Sequence, residues 1–240
     1  MPLSTATVQR WVKDVEARVM RAYGTITAVD TAAPLVALTF DDGPDARHTP
    51  RLLEVLERHN ARGTFFVIGA HARQHPDILR RIAAGGHAVA NHTDSHPGLP
   101  LIGPGEQRRQ IRACADALGA YGTRLFRPPF GAQKRLTYLN IRSLGYEVVT
   151  WNVLVGDWEY HDADELFRRI SAGVRPGAIV LLHDRLVEPE DTRALDRGPM
   201  IEAVDRVLTQ FAGRFRFVTV PELLRSGRPV RVSWVKREVP

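Results

Sequence analysis

Leu35-Val36-Ala37-Leu38-Thr39-Phe40-Asp41-Asp42-Gly43-Pro44-Asp45 decides how the rest of the chain is read. Six residues that are apolar or β-branched run straight into two adjacent carboxylates and a Gly-Pro turn. A short apolar run closed by turn residues is the signature of a buried strand. Side-by-side carboxylates repel, so Asp41 and Asp42 need a cation, a metal or a donor to stay ionised. The same residues also suit a solvated Asp-Gly turn. The stretch alone leaves both readings open.

Working outward, Thr49-Pro50 opens a helical pattern with Leu52, Leu53, Val55 and Leu56 on one face, Thr49 serving as the cap. Strand patterns follow at Thr64–Ile68, His87–Ala90, Arg124–Phe126, Tyr146–Trp151, Ala178–Leu182 and Arg216–Val220. Helical patterns at Asp77–Ala84, Glu106–Leu118, Lys134–Leu144, Asp164–Ala172, Pro199–Phe211 and Glu222–Arg225 alternate with them. Strand and helix in alternation imply α/β architecture, with a parallel sheet of β-α-β units whose strands are apolar on both faces. An open doubly wound sheet would carry a Gly-rich phosphate loop after its first strand, and none is present. The unusual polar residues instead cluster at the ends of several different strands, which is the habit of a closed barrel.

Composition agrees with an ordinary globular chain: 240 residues, 44% hydrophobic, 25% charged. The single cysteine, Cys114, excludes an internal disulfide framework and a cysteine-based zinc cluster. It falls in a helical stretch and reads as a small buried hydrophobe. The formal charge is +6, from 33 basic and 27 acidic residues, and the arginines are scattered. Arg225, Arg228, Arg231, Lys236 and Arg237 form the densest late cluster and read as a solvated tail. Val8, Trp11, Val12, Val15, Val19 and Tyr23 make an apolar stripe at helical spacing, expected to dock on the domain. The expected division is an N-terminal helix over residues 1–30, a catalytic domain over 31–226 and a basic extension over 227–240. Neither a secretory leader nor a spanning stretch of ~18 apolar residues is visible, so the expected compartment is the cytoplasm.

Four clusters share the strand-end placement of Asp41 and Asp42. His92-Thr93-Asp94-Ser95-His96 carries two histidines four apart, which on a helical turn would lie on one face. Two imidazoles and the Asp42 carboxylate would make a catalytic zinc site with an open position; the alternative is a pair of surface histidines. Arg127-Pro128-Pro129-Phe130-Gly131 offers a rigid backbone and a cation able to keep a buried carboxylate ionised. Asp157-Trp158 and Leu181-Leu182-His183-Asp184 complete the set. His183 is either a core histidine or, with a carboxylate nearby, an acid for work near neutral pH.

Thr-Phe-Asp-Asp-Gly-Pro, His-Thr-x-x-His, Arg-Pro-Pro-Phe-Gly, Asp-Trp and Leu-Leu-His-Asp, in this order between about residues 35 and 220, resemble the polysaccharide deacetylases, carbohydrate esterase family four. The resemblance implies an irregular (β/α)7 barrel, TIM-barrel-like, with a divalent metal at the strand ends: zinc first, with cobalt or nickel as alternatives. It implies Asp42, His92 and His96 as metal ligands, Asp41 as general base and His183 as general acid. Arg127 would tether Asp41, Asp157 would support His183, and Trp158 and Leu182 would wall the acetyl pocket. Phe130 stands where the family often has tyrosine, leaving a main-chain N–H for the oxyanion. Asp94 replaces a common aromatic and would add negative charge near the metal, and Leu154 replaces a further aspartate. The implied reaction is hydrolysis of N-acetyl groups on N-acetylglucosamine-containing glycans. The alternatives are an O-acetyl esterase, a hydrolase of non-sugar amides or imides, or a non-catalytic protein binding glycan or nucleic acid. The expected partner is an N-acetylated sugar, with no specific nucleic acid.

Overall fold

A computed structural model describes residues 24–236. The apolar stripe of residues 8–23 and Arg237 lie outside the described residues.

Asp41 ends the strand that the opening stretch forms. After β1 (Thr25–Asp30) come β2 (Leu35–Asp41), β3 (Thr64–Val67), β4 (Ala88–Asn91), β5 (Gly122–Phe126), β6 (Glu147–Val148), β7 (Val153–Leu154) and β8 (Ile179–His183). The strands β2 to β8 are hydrogen-bonded in the order β6-β5-β4-β3-β2-β8-β7, every pair parallel. That is the cyclic order of a barrel. β8 returns to lie beside β2, the short β9 (Arg216–Phe217) pairs with the start of β2 in place of the longer strand expected over Arg216–Val220, and a seam is left between β6 and β7. Helices cover the outside: α1 (Thr49–Arg58), α2 (Gly69–Gln74), α3 (Pro76–Ala84), α4 (Pro104–Leu118), α5 (Arg135–Ser143), α6 (Ala163–Gly173), α7 (Gly198–Gln210) and α8 (Val220–Arg225). None of them is long and apolar enough to cross a membrane.

The period of two along β2 sorts its residues. Val36, Leu38 and Phe40 belong to the large cluster under the helices, with Leu52, Leu56, Val180, Leu182 and Val204. Ala37 packs inside the sheet with Phe66, Ala90, Val149 and Ile179. Thr39 and Asp41 therefore face inward, because successive side chains point to opposite faces. Each large side chain buried under the helices contributes about 1.5–3 kcal/mol, so slipping β2 by one residue would forfeit the whole outer set. Asp41 is held inside the barrel by the packing of its neighbours.

Several expectations need correction. The strand expected over Tyr146–Trp151 is shortened to Glu147–Val148, paired with β5, and a further, unexpected short strand, β7 (Val153–Leu154), pairs with β8. The Arg127 guanidinium takes the carbonyls of Val149 and Thr150 at 3.3 and 2.9 Å, using acceptors that a continuous strand would have offered to a ladder. Thr49 is the first residue of α1 rather than its cap, and its hydroxyl accepts from Asp45 N and donates to Asp184 Oδ2. The division at residues 30 and 227 runs through a two-stranded antiparallel sheet of β1 and β10 (Arg228–Val232). The basic C-terminal stretch is part of the fold: Arg231 reaches Glu147 at 2.8 Å and Gly24 O at 2.9 Å.

Candidate active site at the strand ends

Asp42, one residue past the barrel interior, sits at φ 72°. Its N–H donates to Phe66 O at 3.2 Å, and its carbonyl accepts from His71 Nδ1 at 2.7 Å. His92 and His96 come from the loop after β4. That loop is not the helical turn expected of the spacing, because Thr93 and His96 have φ of 69° and 61°. Asn91 Oδ1 accepts from Thr93 N, Thr93 Oγ1 accepts from His96 N, and Gln110 Oε1 accepts from both Asp94 N and Ser95 N. Left-handed residues other than glycine cost about 1–3 kcal/mol each, and they persist where neighbours over-determine them. Here they bring both imidazoles to one carboxylate.

Asp42, His92 and His96 offer one ligand atom each, all within 4.8 Å of one another. His92 Nε2 and His96 Nε2 lie 3.3 and 3.2 Å from Asp42 Oδ1, yet this buried oxygen has no hydrogen-bond partner. His92 donates Nδ1–H to Arg127 O at 2.7 Å, so its Nε2 carries a lone pair when the ring is neutral. Burial pushes His96 down to about 4 against the pull of Asp42, leaving it uncharged at neutral pH. Burial alone would raise Asp42, but His96 and His92 beside it hold it well below the usual carboxylate range. Two imidazole Nε2 atoms and an ionised carboxylate converge on one buried point. The donor set fits a divalent cation of the zinc type, with the outer nitrogen of His92 fixed as metal-bound histidines require.

Asp41 lies beside this cluster, Oδ2 standing 3.8 Å from His92 Nε2. Its Oδ1 accepts from Arg127 Nη1 at 2.6 Å, and the same nitrogen reaches Thr39 Oγ1 at 2.8 Å. Arg127 is fully buried, with its guanidinium 3.9 Å from the Phe66 ring centroid. Removing one partner of such a buried pair costs about 3–5 kcal/mol, since a naked charge remains.

His183 is the register partner of Asp41 on the adjacent strand, so the two side chains share the inner face. Its Nδ1 bonds Asp157 Oδ1 at 2.9 Å and its N–H donates to Asp157 Oδ2 at 2.8 Å. Burial disfavours the charged ring, but the Asp157 carboxylate outweighs it, and His183 is pushed up to about 9. Asp157 stays ionised because, against its own burial, His183 and Arg197 hold it low. Trp158 meets the His183 ring edge-on at 6.0 Å and is 38% exposed, at the rim. The Phe130 ring meets His96 edge-on at 4.6 Å.

The family model described as polysaccharide deacetylase matches residues 28–149. A chitooligosaccharide deacetylase of Sinorhizobium fredii is 38% identical over 190 residues, covering 77% of this chain and 88% of the relative. The chain belongs to the polysaccharide deacetylase family. A peptidoglycan-N-acetylglucosamine deacetylase of Bacillus cereus is 33% identical over 199 residues, covering 80% of this chain and 69% of the relative. Among solved structures, the Bc1960 peptidoglycan N-acetylglucosamine deacetylase superposes with a TM-score of 0.77 at 31% identity, covering 87% of this chain and 96% of that one. The curled parallel sheet with its helices matches the (β/α)7 barrels of these deacetylases.

In this polysaccharide deacetylase fold, two expectations about site residues change. Leu182 does not face the site. It is 0% exposed and belongs to the core under the helices with Leu38 and Val204. Strand alternation puts Leu181, not Leu182, on the face of His183. Asp94 does not add free negative charge at the metal cluster, because Arg73 grips both of its oxygens at 2.7 and 3.1 Å. Leu154 is 57% exposed. Cys114 is buried, donates Sγ–H to Val67 O, and is pushed by burial up to about 12, so it is an inert thiol.

Two residues escaped the sequence reading. His71 bonds the carbonyl of Asp42, as described above. Arg197 donates to Asp157 Oδ2, to Asp157 O at 2.8 Å and to His183 O at 3.0 Å, fastening the acid and its support together. Each is a lone residue in a segment without periodicity, and neither carries a local signal.

Proposed function

We propose that the chain hydrolyses N-acetyl groups of N-acetylglucosamine-containing oligo- or polysaccharide, releasing acetate, with a divalent metal, zinc first among candidates. The observation that carries this reading is the pairing of Asp41 and His183 as register neighbours beside the Asp42-His92-His96 cluster. One carboxylate and one protonated imidazole thus flank the same point from adjacent strands.

Asp42, His92 and His96 would hold the cation, which supplies Lewis acidity: it acidifies bound water and polarises the acetyl carbonyl. Arg127 occupies Oδ1 of Asp41, so the proton of the attacking water is taken at Oδ2, the oxygen nearer His92. The Phe130 main-chain N–H stabilises the oxyanion, a contribution whose loss typically costs ~100-fold or more. Asp157 occupies Nδ1 of His183, so the proton for the departing amine comes from Nε2. An amine is too basic to leave unprotonated, and a histidine pushed up to about 9 is charged at neutral pH and suited to that task. An alkoxide leaving group would need such an acid less, which favours the amide over the ester substrate. Trp158 at the rim walls the acetyl pocket, with Leu181 on the inner face of β8.

The test is acetate release from N-acetylglucosamine oligomers of increasing length, beside acetylated xylan, with metal content measured on the same preparation. The Asp41→Asn variant is expected to keep bound zinc and lose turnover. Full activity in Asp41→Asn removes the base from this scheme. Acetate from xylan alone makes the protein an ester hydrolase.

A further inference from the structure

The stretch carrying Phe130 is bent against the preference of its residues. Phe130 has φ 59° and ψ 10°, and Gly131 follows at φ 62°. Two consecutive left-handed residues need outside support, because only glycine adopts that region freely. Within the bend, Gly131 N–H donates to Pro128 O and Ala132 N–H to Pro129 O, each at 2.9 Å, which leaves the Phe130 and Gly131 carbonyls to be held from the far end of the chain. Trp234 Nε1–H donates to Gly131 O at 2.8 Å, and Lys236 Nζ donates to Phe130 O at 3.0 Å. The backbones are joined as well: Gln133 N–H donates to Lys236 O at 2.8 Å, and Gln133 Nε2 reaches Trp234 O at 3.2 Å. The Trp234 ring packs edge-on against Trp151 at 5.5 Å. Trp151 in turn lies beside the Arg127 guanidinium, 5.6 Å away, and leaves no room for a side chain at residue 131, where a Cβ would stand 2.8 Å from its ring.

We propose that Trp234 and Lys236 form a C-terminal clamp of positioning residues: by holding the Phe130 and Gly131 carbonyls they fix the left-handed φ/ψ of Phe130 and thereby the direction in which its N–H, on the preceding peptide, faces the reacting carbonyl. The proposal rests on the deacetylase reading, in which that N–H stabilises the oxyanion. Neither residue reaches the reacting atoms. They bind the carbonyls of Phe130 and Gly131, so their loss lets the bend relax while the direct contacts of Asp42, His92 and Trp158 stay in place; the Phe130 ring touches His96, and zinc content reports on that contact. A donor displaced in this way weakens the transition state more than the bound substrate, so kcat falls and KM does not.

The experiment uses the full-length, zinc-loaded protein and acetate release from N-acetylglucosamine oligomers. Trp234→Phe keeps an aromatic ring against Trp151 and removes the N–H donor. Its kcat is expected to fall ~10-fold, part of the ~100-fold that a 1 Å misplacement costs. Adding Lys236→Met deepens the loss, whereas adding Lys236→Arg, which keeps a cationic donor, does not. KM, zinc content and thermal midpoint stay at parental values throughout. A kcat unchanged in Trp234→Phe/Lys236→Met overturns the clamp. So does a loss that tracks a falling thermal midpoint or zinc content and is the same with Met or Arg at residue 236, since that is the mark of a structural role. An inactive zinc-loaded parent overturns the deacetylase reading itself, and the clamp with it, whereas an active parent with unaffected variants overturns the clamp alone.

Discussion

His96 and His183 are both buried imidazoles at the mouth of one barrel, and they stand in opposite charge states. His96 is held down at about 4, and His183 is pushed up to about 9. Burial opposes the charged ring in both cases, so burial does not separate them. The difference lies in what carboxylate each ring has. His96 shares Asp42 with His92, and neighbouring rings oppose its protonation. His183 has Asp157 to itself, bonded at Nδ1, with Arg197 fixing the far oxygen. One carboxylate divided among lone pairs makes a cation site, and one carboxylate dedicated to a single ring makes an acid.

The comparison is broken most completely by taking away the shared carboxylate. Asp42→Ala is expected to lose zinc and to lower turnover by ~10³-fold or more, the scale of a cation worth several kcal/mol. Metal content after dialysis and acetate release check it. The contrast with Asp41→Asn, which keeps zinc, separates ligand from base.

The second way is to remove the dedicated carboxylate. Asp157→Asn is expected to lower kcat at neutral pH by ~10²-fold or more, the usual worth of a general acid. The pH profile carries the sign. In the parent, His183 is protonated below about 9, and a cation beside Asp42 offsets part of the carboxylate pull, so the alkaline limb falls at or below that value. In the variant the pull of Asp157 is gone, burial opposes the charged ring and only Asp41 and Asp42 still favour it, so the limb moves down from about 9 and activity is regained as the pH is lowered. An alkaline limb unmoved by Asp157→Asn would show that His183 is not the acid.

The smallest expected effect sharpens the metal side. His71→Ala removes the donor that holds the carbonyl of Asp42 at φ 72°. Zinc affinity is expected to weaken ~10-fold, as for other partners one step removed from a ligand, with the His183 limb of the pH profile unchanged. Chelator competition measures the first and the pH–rate curve the second.

Much of this architecture can be read along the chain. The alternation of Val36, Leu38 and Phe40 against Ala37, Thr39 and Asp41 sets the inward side of β2, and the order of the strands follows from short connections and parallel pairing. The same reasoning fails at Ala178–Leu182, where both faces are apolar and hydropathy does not say which one looks inward. Only the register against Asp41 assigns His183 to the inside and Leu182 to the core. The histidine spacing suggests a helical turn, but Asn91 and Gln110 bend that loop through left-handed residues instead. The C-terminal stretch reads as a solvated charge run because its partners, Phe130, Gly131 and Glu147, are about a hundred residues away or nearly so.

What the amino-acid sequence determined by itself was the inventory: two carboxylates ending a buried strand, a pair of histidines, an arginine, and a histidine closing an apolar run, each on a strand end of a parallel α/β barrel. Tertiary structure alone decided which imidazole is neutral and which is charged, and which distant residues hold the strained peptides in place. The reason is physical. Residue type and periodicity are local properties of the chain, whereas a proton's affinity depends on burial and on charges a few ångströms away, and folding brings those charges together from segments far apart in sequence.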